Sequence, residues 1–184
     1  STFKLISMMA ALEDNYVNSS DIIDTGNGKR IIHGKTVRDS KKDGYGSITA
    51  SKVFEVSSNT GIVNIIYDNY KDNPKKFVDR IYNMGIHKPL GIPIKGEAKP
   101  KIPYPTDSSW SGISLPWMAW GYGVALTPLQ ILSFYNAVAN NGVMIKPNFI
   151  EQIGKMGSKP HIKFSKEIIN PSICSKKTLK VVQK

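Results

Sequence analysis

Cysteine is almost absent from the chain. Cys174 is the only one in 184 residues, which excludes an internal disulfide and leaves a partly buried thiol as its expected state. Long apolar runs are missing too. The longest good one, Leu5 to Leu12, falls well short of the ~20 residues that a membrane span needs and predicts a buried helix. No secretory signal pattern, meaning a basic start followed by a small-residue cleavage site, occurs within these residues, so an anchor is expected only upstream of them. His33, His87 and His161 have no ligand spacing among them, so no metal is expected. Internal repeats and low-complexity tracts are also absent.

Acidic residues are scarce at one end. Between residues 155 and 184, eight lysines (Lys155, Lys159, Lys163, Lys166, Lys176, Lys177, Lys180, Lys184) stand against Glu167 alone, a local balance of +7 within a net charge of +11. Only Phe164 interleaves aromatically with these lysines, which argues against nucleic acid. Two readings stay open: a solvated flank, or contact with a negatively charged partner such as a phospholipid surface or a cell-wall polymer. Apolar residues make up 40% of the chain, enough for a folded domain with a core.

The apolar residues Phe3, Leu5, Ile6, Met8, Met9, Ala10, Ala11 and Leu12 lie on every side of a helix, the pattern of a buried central one. Thr25-Gly26-Asn27-Gly28 is a turn signal, and Ile31-Ile32 and Thr36-Val37 read as small strands. Thr49 is a candidate N-cap for a helix over 50–56 with Val53 and Phe54 inward. The polar residues from Ser57 to Thr60 interrupt it, and Gly61 opens a second apolar helix over 62–70. Asn73-Pro74 starts a helix that Gly85 closes. Residues 86–116, rich in Pro and Gly, read as a long irregular excursion, which Trp110, Trp117 and Trp120 are expected to pack. Thr127-Pro128 caps a helix ended by Asn141-Gly142; strands are expected over 143–153, and the first turns of an unfinished helix over 178–184.

Two polar groups in this frame point to chemistry. The chain begins Ser1-Thr2-Phe3-Lys4. Residues three apart on a helix share a face, so this spacing sets an amine beside a hydroxyl. That is the minimum needed to activate a serine without a histidine, provided burial lowers the lysine pKa. The second group is Ser57-Ser58-Asn59, at a helix–helix junction where side chains project into a cleft. A Ser57 hydroxyl there can relay a proton between Lys4 and a leaving amine, and the Asn59 amide can bind Lys4 or a substrate carbonyl.

With both motifs in this order and spacing, the sequence resembles the penicillin-binding transpeptidases and the related serine β-lactamases, whose signature is S-x-x-K, S-D-N and K-T-G. The S-S-N form is similar to that of the class B (FtsI-like) enzymes, whereas a class A β-lactamase carries Asp in the middle. Gly121-Tyr122-Gly123-Val124-Ala125-Leu126-Thr127-Pro128-Leu129-Gln130 and Tyr135-Asn136-Ala137-Val138-Ala139-Asn140-Asn141-Gly142 are similar to the segment that follows the active-site helices in division-type members. The likeness runs from residue 1 to about residue 153.

The resemblance implies the helix-rich part of an α/β (α+β) transpeptidase or serine β-lactamase-like fold, with a few strands from residue 143 onward. It implies Ser1 as acylated nucleophile, Lys4 as its base, Ser57 as the proton relay to the departing D-alanine and Asn59 as a ligand of the substrate amide. The Ser1 backbone N–H and a donor on the third-motif strand would hold the oxyanion. The implied activity is D,D-transpeptidation of peptidoglycan stem peptides through an acyl-serine, in cell division, with no cofactor. β-Lactam antibiotics are implied as substrate mimics and divisome proteins as partners. The implied location is the periplasmic face of the cell membrane, with the parent anchored in the inner membrane.

One departure stands out. No Lys-Thr-Gly occurs: Lys35-Thr36-Val37 falls between the first two motifs, and Lys177-Thr178-Leu179 lacks the glycine and sits in a helical pattern. The chain is therefore expected to be a partial transpeptidase domain. Residues 1–142 would form a mainly helical part with the first two motifs, and residues 143–184 a strand pair and the start of a helix. A downstream Lys-Thr-Gly and an upstream hydrophobic anchor are expected, and these residues alone are expected to be inactive. Two alternatives are a non-catalytic binding or scaffold module of the same fold and an N-terminal-nucleophile hydrolase. The latter fold starts with a strand, whereas this chain starts with a helical pattern. A P-loop is rejected, because five residues separate Gly28 from Gly34 where four are needed.

Overall fold

The first helix, α1 (Phe3–Glu13), is the axis on which the rest is built. Every residue from Phe3 to Leu12 is buried, as its all-round apolar character dictates. The computed structural model describes residues 2–155, 157, 159 and 161–184. Around α1 pack α2 (Ala50–Glu55), α3 (Asn59–Tyr70), α4 (Pro74–Asn83), α5 (Ser114–Ala119) and α7 (Lys176–Val182), and α6 (Pro128–Ala139) adds Phe134, Ala137 and Val138 to the same core. Ile6, Met9, Ile62, Ile66, Phe77, Ile81, Met118 and Phe134 are sealed from water in one cluster. Each such side chain contributes about 1.5–3 kcal/mol by leaving water.

The polar ties to α1 are specific. Ser7 donates to the Ala119 carbonyl at 2.7 Å, joining α1 to α5. The Tyr70 hydroxyl lies 2.7 Å from Asp14 Oδ2 and 3.1 Å from the Ala10 carbonyl, joining α3 to the end of α1. Arg80 of α4 pairs with the same, almost wholly buried Asp14. At the N-terminal end, Tyr135 of α6 donates to the Thr2 carbonyl at 3.0 Å.

The strands form two-residue to four-residue ribbons. β1 (Ile22–Asp24) pairs antiparallel with β4 (Ser47–Thr49), and β2 (Lys29–Ile32) with β3 (Lys35–Arg38). β5 (Met144–Ile145) pairs with β8 (Ile168–Asn170), and β6 (Gln152–Ile153) with β7 (Ile162–Lys163). The β1-to-β4 excursion closes on itself where Gly28 meets Gly44. A Cβ on Gly44 would stand 2.2 Å from the Gly28 nitrogen, and both residues take positive φ, so only glycine fits.

The structure corrects several sequence-based expectations. β2 and β3 contain the small strands expected at Ile31-Ile32 and Thr36-Val37, but β1 and β4, which also precede residue 143, are not among those expected. These two are three residues long and about 25 residues apart, which leaves little pattern to read. Phe54 is not inward but 39% exposed, because six-residue α2 turns Ala50 and Val53 to the core. Phe54 instead borders a shallow apolar groove beside Leu5, Met8, Val181 and Val182. Helix α3 begins at Asn59, three residues before the expected start, with Ser58 as N-cap accepting from Gly61 N–H at 2.9 Å. The final helix spans Lys176–Val182 with Ser175 as N-cap, so it begins before residue 178. Helix α5 begins inside the stretch expected to be irregular. No helix among the described residues is long and apolar enough to cross a membrane.

Candidate active site

Lys4 sits in the first turn of α1, 3% exposed, and its ammonium points at the α2–α3 junction. It donates to Asn59 Oδ1 at 2.6 Å, to Ser57 Oγ at 2.9 Å and to the Ser57 carbonyl. All three partners are neutral. Burial pushes the Lys4 amine down to about 8, and the negative charge of Asp39 opposes part of that shift. The seat at the positive end of the α1 dipole acts in the same direction as burial. A lysine so placed is neutral for an appreciable fraction of time near physiological pH, as a general base must be.

The junction is built to present these acceptors. Ser57 has φ +55°, a left-handed turn between α2 and α3, and the residue is exposed. The turn aims both its hydroxyl and its carbonyl at Lys4. Asn59 is the first residue of α3, and its carboxamide is oriented from two sides: Oδ1 accepts from Lys4, while Nδ2 donates to the Arg38 carbonyl at 2.6 Å. The middle residue, Ser58, faces inward and is 1% exposed. Thus Lys4, Ser57 and Asn59, drawn from positions 53 and 55 residues apart, converge as the sequence predicts. Ser1, the expected nucleophile, lies outside the described residues.

Sequence reasoning missed Asp39. It directly follows β3, and its carboxylate accepts from Asn59 N–H (2.5 Å), Thr60 N–H (2.9 Å), the Ser58 hydroxyl (3.0 Å) and the Thr60 hydroxyl (2.7 Å). A lone aspartate at a strand end carries no local signal of this role. Lys177-Thr178-Leu179 lies in α7, where Lys177 donates to Asn15 and Thr178 to Glu13. That is the opposite end of α1, nine residues or roughly 13 Å of helix from Lys4. Lys35-Thr36-Val37 lies in the β2–β3 hairpin.

The described residues thus show a buried lysine bonded to a Ser-x-Asn turn. The family model for the penicillin binding protein transpeptidase domain matches residues 1–184. The chain belongs to this family. It is 30% identical over 148 residues to the penicillin-binding protein PbpB of Mycolicibacterium smegmatis, covering 80% of this chain and 22% of PbpB. It is 27% identical over 143 residues to the peptidoglycan D,D-transpeptidase FtsI of Escherichia coli, covering 78% of this chain and 23% of FtsI. Among solved structures, it superimposes on penicillin binding protein 3 of Mycobacterium tuberculosis, complexed with ampicillin, with a TM-score of 0.81 at 24% identity. That match covers 100% of this chain and 39% of the other, and it shows the shared transpeptidase-domain fold. The chain spans less than a quarter of the length of these two curated relatives.

Proposed function

We propose that the protein carrying these residues is a serine D,D-transpeptidase that crosslinks peptidoglycan stem peptides through an acyl-serine intermediate. The observation that carries this reading is the Lys4 amine, buried, lowered to about 8 and bonded to Ser57 and Asn59. In the proposed reaction, Ser1 Oγ attacks the carbonyl of the penultimate D-alanine and Lys4 takes the Ser1 proton. The bond to the terminal D-alanine breaks, Ser57 passes a proton to the departing amine, and an ester remains on Ser1. A second stem's amine then attacks the ester, forming the new peptide bond and returning the hydroxyl to Ser1. Asn59 holds Lys4 in place and can turn its second N–H toward the substrate amide.

β-Lactams are proposed to acylate the same serine and stay there. A role in cell division follows from the likeness to FtsI, with divisome proteins as partners. The proposed location is the outer face of the cytoplasmic membrane, where the substrate is. The oxyanion strand is proposed to come from another part of the protein, because no Lys-Thr-Gly occurs in these 184 residues.

The test is incubation of the full-length protein with a fluorescent penicillin, then a denaturing gel and mass spectrometry of the labelled peptide. A label on Ser1 that is lost in Lys4→Ala supports the reading. Absence of label from a folded, full-length protein refutes it and favours a non-catalytic module of the same fold.

A further inference from the structure

We propose that Asp39 is a positioning residue for the Lys4 base, fixing the Ser57–Asn59 turn and placing one negative charge on the far side of Asn59 from the ammonium. This rests on the reading of the site as an acyl-transfer centre. Asp39 belongs to neither motif, and its position is fixed from both sides. Its own N–H donates to the Gly28 carbonyl at 2.9 Å, tying it to the closed excursion between β1 and β4. Its carboxylate then takes the two foremost N–H groups of α3 and the two hydroxyls of Ser58 and Thr60, both 1% exposed. A carboxylate on the first N–H groups of a twelve-residue helix is held by hydrogen bonds and by the helix dipole together.

The arrangement has a direct effect on Lys4. Among the described residues, no carboxylate lies within ion-pairing distance of Lys4 Nζ. The charge of Asp39 acts on it across Asn59, whose backbone N–H binds Asp39 and whose Oδ1 binds Lys4. A carboxylate in contact would hold the amine fully protonated at neutral pH. No carboxylate at all would leave burial unopposed and weaken the hold on a protonated intermediate. One interposed residue, Asn59, gives an intermediate pull while staying in register itself.

The other groups around the first turn of α1 do not compete. Tyr135 of α6 is tied to the Thr2 carbonyl, with its hydroxyl pushed up by burial. Helix α5 carries no titratable side chain over 114–119. Lys52 and Glu55 of α2 pair with each other at the surface, as do Lys75 and Asp79 of α4. Arg38, an exposed residue, gives its carbonyl to Asn59. Asp14 and the Arg80 and Lys76 cations of α4 meet at the other end of α1, where Glu13 is bound by Thr178 and Lys177 by Asn15.

The experiment compares Asp39→Asn and Asp39→Ala with wild type in the full-length protein. The Asn variant keeps an oxygen for the two N–H groups and a donor for the two hydroxyls, yet removes the charge. Two readouts are used: the pH profile of fluorescent-penicillin acylation, and the pH midpoint of Lys4 itself, from trace acetylation with acetic anhydride and mass spectrometry of the Lys4 peptide. Asp39→Asn is expected to move both the acid limb and the Lys4 midpoint down by roughly one pH unit. Its plateau rate should lie within about tenfold of wild type, while Asp39→Ala should lose more than that and be rescued in part by Asn. An unmoved Lys4 midpoint in Asp39→Asn overturns the proposal, whatever the acylation shows. A wild type that is folded but takes no label overturns the transpeptidase reading instead, and the Lys4 midpoint still decides the role of Asp39.

Discussion

Burying Lys4 is unfavourable for the fold and useful for chemistry. Its amine falls from 10.5 to about 8 on folding, so the unfolded chain binds more protons between those two values. Stability therefore rises with pH across that window, and below about 8 the full penalty is present. Lys4→Met is expected to stabilise the protein by ~1–3 kcal/mol at pH 7, with the gain shrinking above pH 8 and gone near 10.5. The same variant should lower penicillin acylation by about 10²–10⁴-fold. Denaturant unfolding at several pH values, run beside labelling, checks both halves. Wild-type acylation should climb with pH and level off above about 8.

Ser57 allows a second separation of roles. Its carbonyl and its hydroxyl both bind Lys4, and its backbone is left-handed. Ser57→Gly keeps the carbonyl and suits the backbone, so stability should stay within about 1 kcal/mol while acylation drops by about tenfold or more. Ser57→Ala should lose the same activity and about 1 kcal/mol of stability besides, from strain at positive φ. Equal acylation by Ser57→Gly and wild type would remove the hydroxyl from the proton path.

At the scale of elements, the knuckle between α2 and α3 decides whether the site exists. A Cβ on Gly61 would meet both Val53 methyl carbons at 2.7 Å and the Ser58 hydroxyl at 3.0 Å, so the helices can approach only because position 61 is glycine. Gly61→Ala is expected to destabilise by ~1–3 kcal/mol and to slow acylation by moving Asn59. Chemical denaturation and labelling kinetics measure the two effects, and an unchanged midpoint would show that the knuckle yields.

Much at this scale was legible in the sequence, for local reasons. Asn73-Pro74 and Thr127-Pro128 announce α4 and α6 because caps act over one turn, and Thr127 and Gln130 form a reciprocal capping box. The all-apolar start announces a buried α1. The meeting of Lys4 with Ser57 and Asn59 came from motif order and spacing. What could not be read depends on long-range pairing. Ile22 opposite Thr49 is set by the closed excursion between them, and Asp39 reaches the S-S-N turn across 19 to 21 residues. Helix α5, only six residues with a proline in its first turn, is too short to show a period.

At the scale of the whole molecule, α1 is tied at both ends, and one tie is acid-sensitive. Burial alone would raise the Glu13 carboxyl, but hydrogen bonds from Thr178 and Ser175 outweigh it and hold the group below its ordinary value of 4.5. A carboxyl depressed on folding contributes stability above the unfolded value and loses it as pH falls through the folded one. Glu13→Gln should therefore lower the melting temperature at pH 7, with the gap to wild type closing below about pH 4.5. Thermal unfolding from pH 7 to 3 tests this; a gap that stays constant would mean that the α1–α7 tie does not depend on charge.

Lys4 and its three acceptors stand 53 to 55 positions apart, and nothing local brings them together. Until the intervening ribbons and α2 have closed that loop, the amine at position 4 is an ordinary hydrated cation, already protonated at neutral pH and without a lone pair to take another proton. Reactivity is thus a property of the completed topology. On the proposed mechanism, a nascent or half-folded copy is chemically silent, and Lys4 becomes a base only when the last of the loop locks into place.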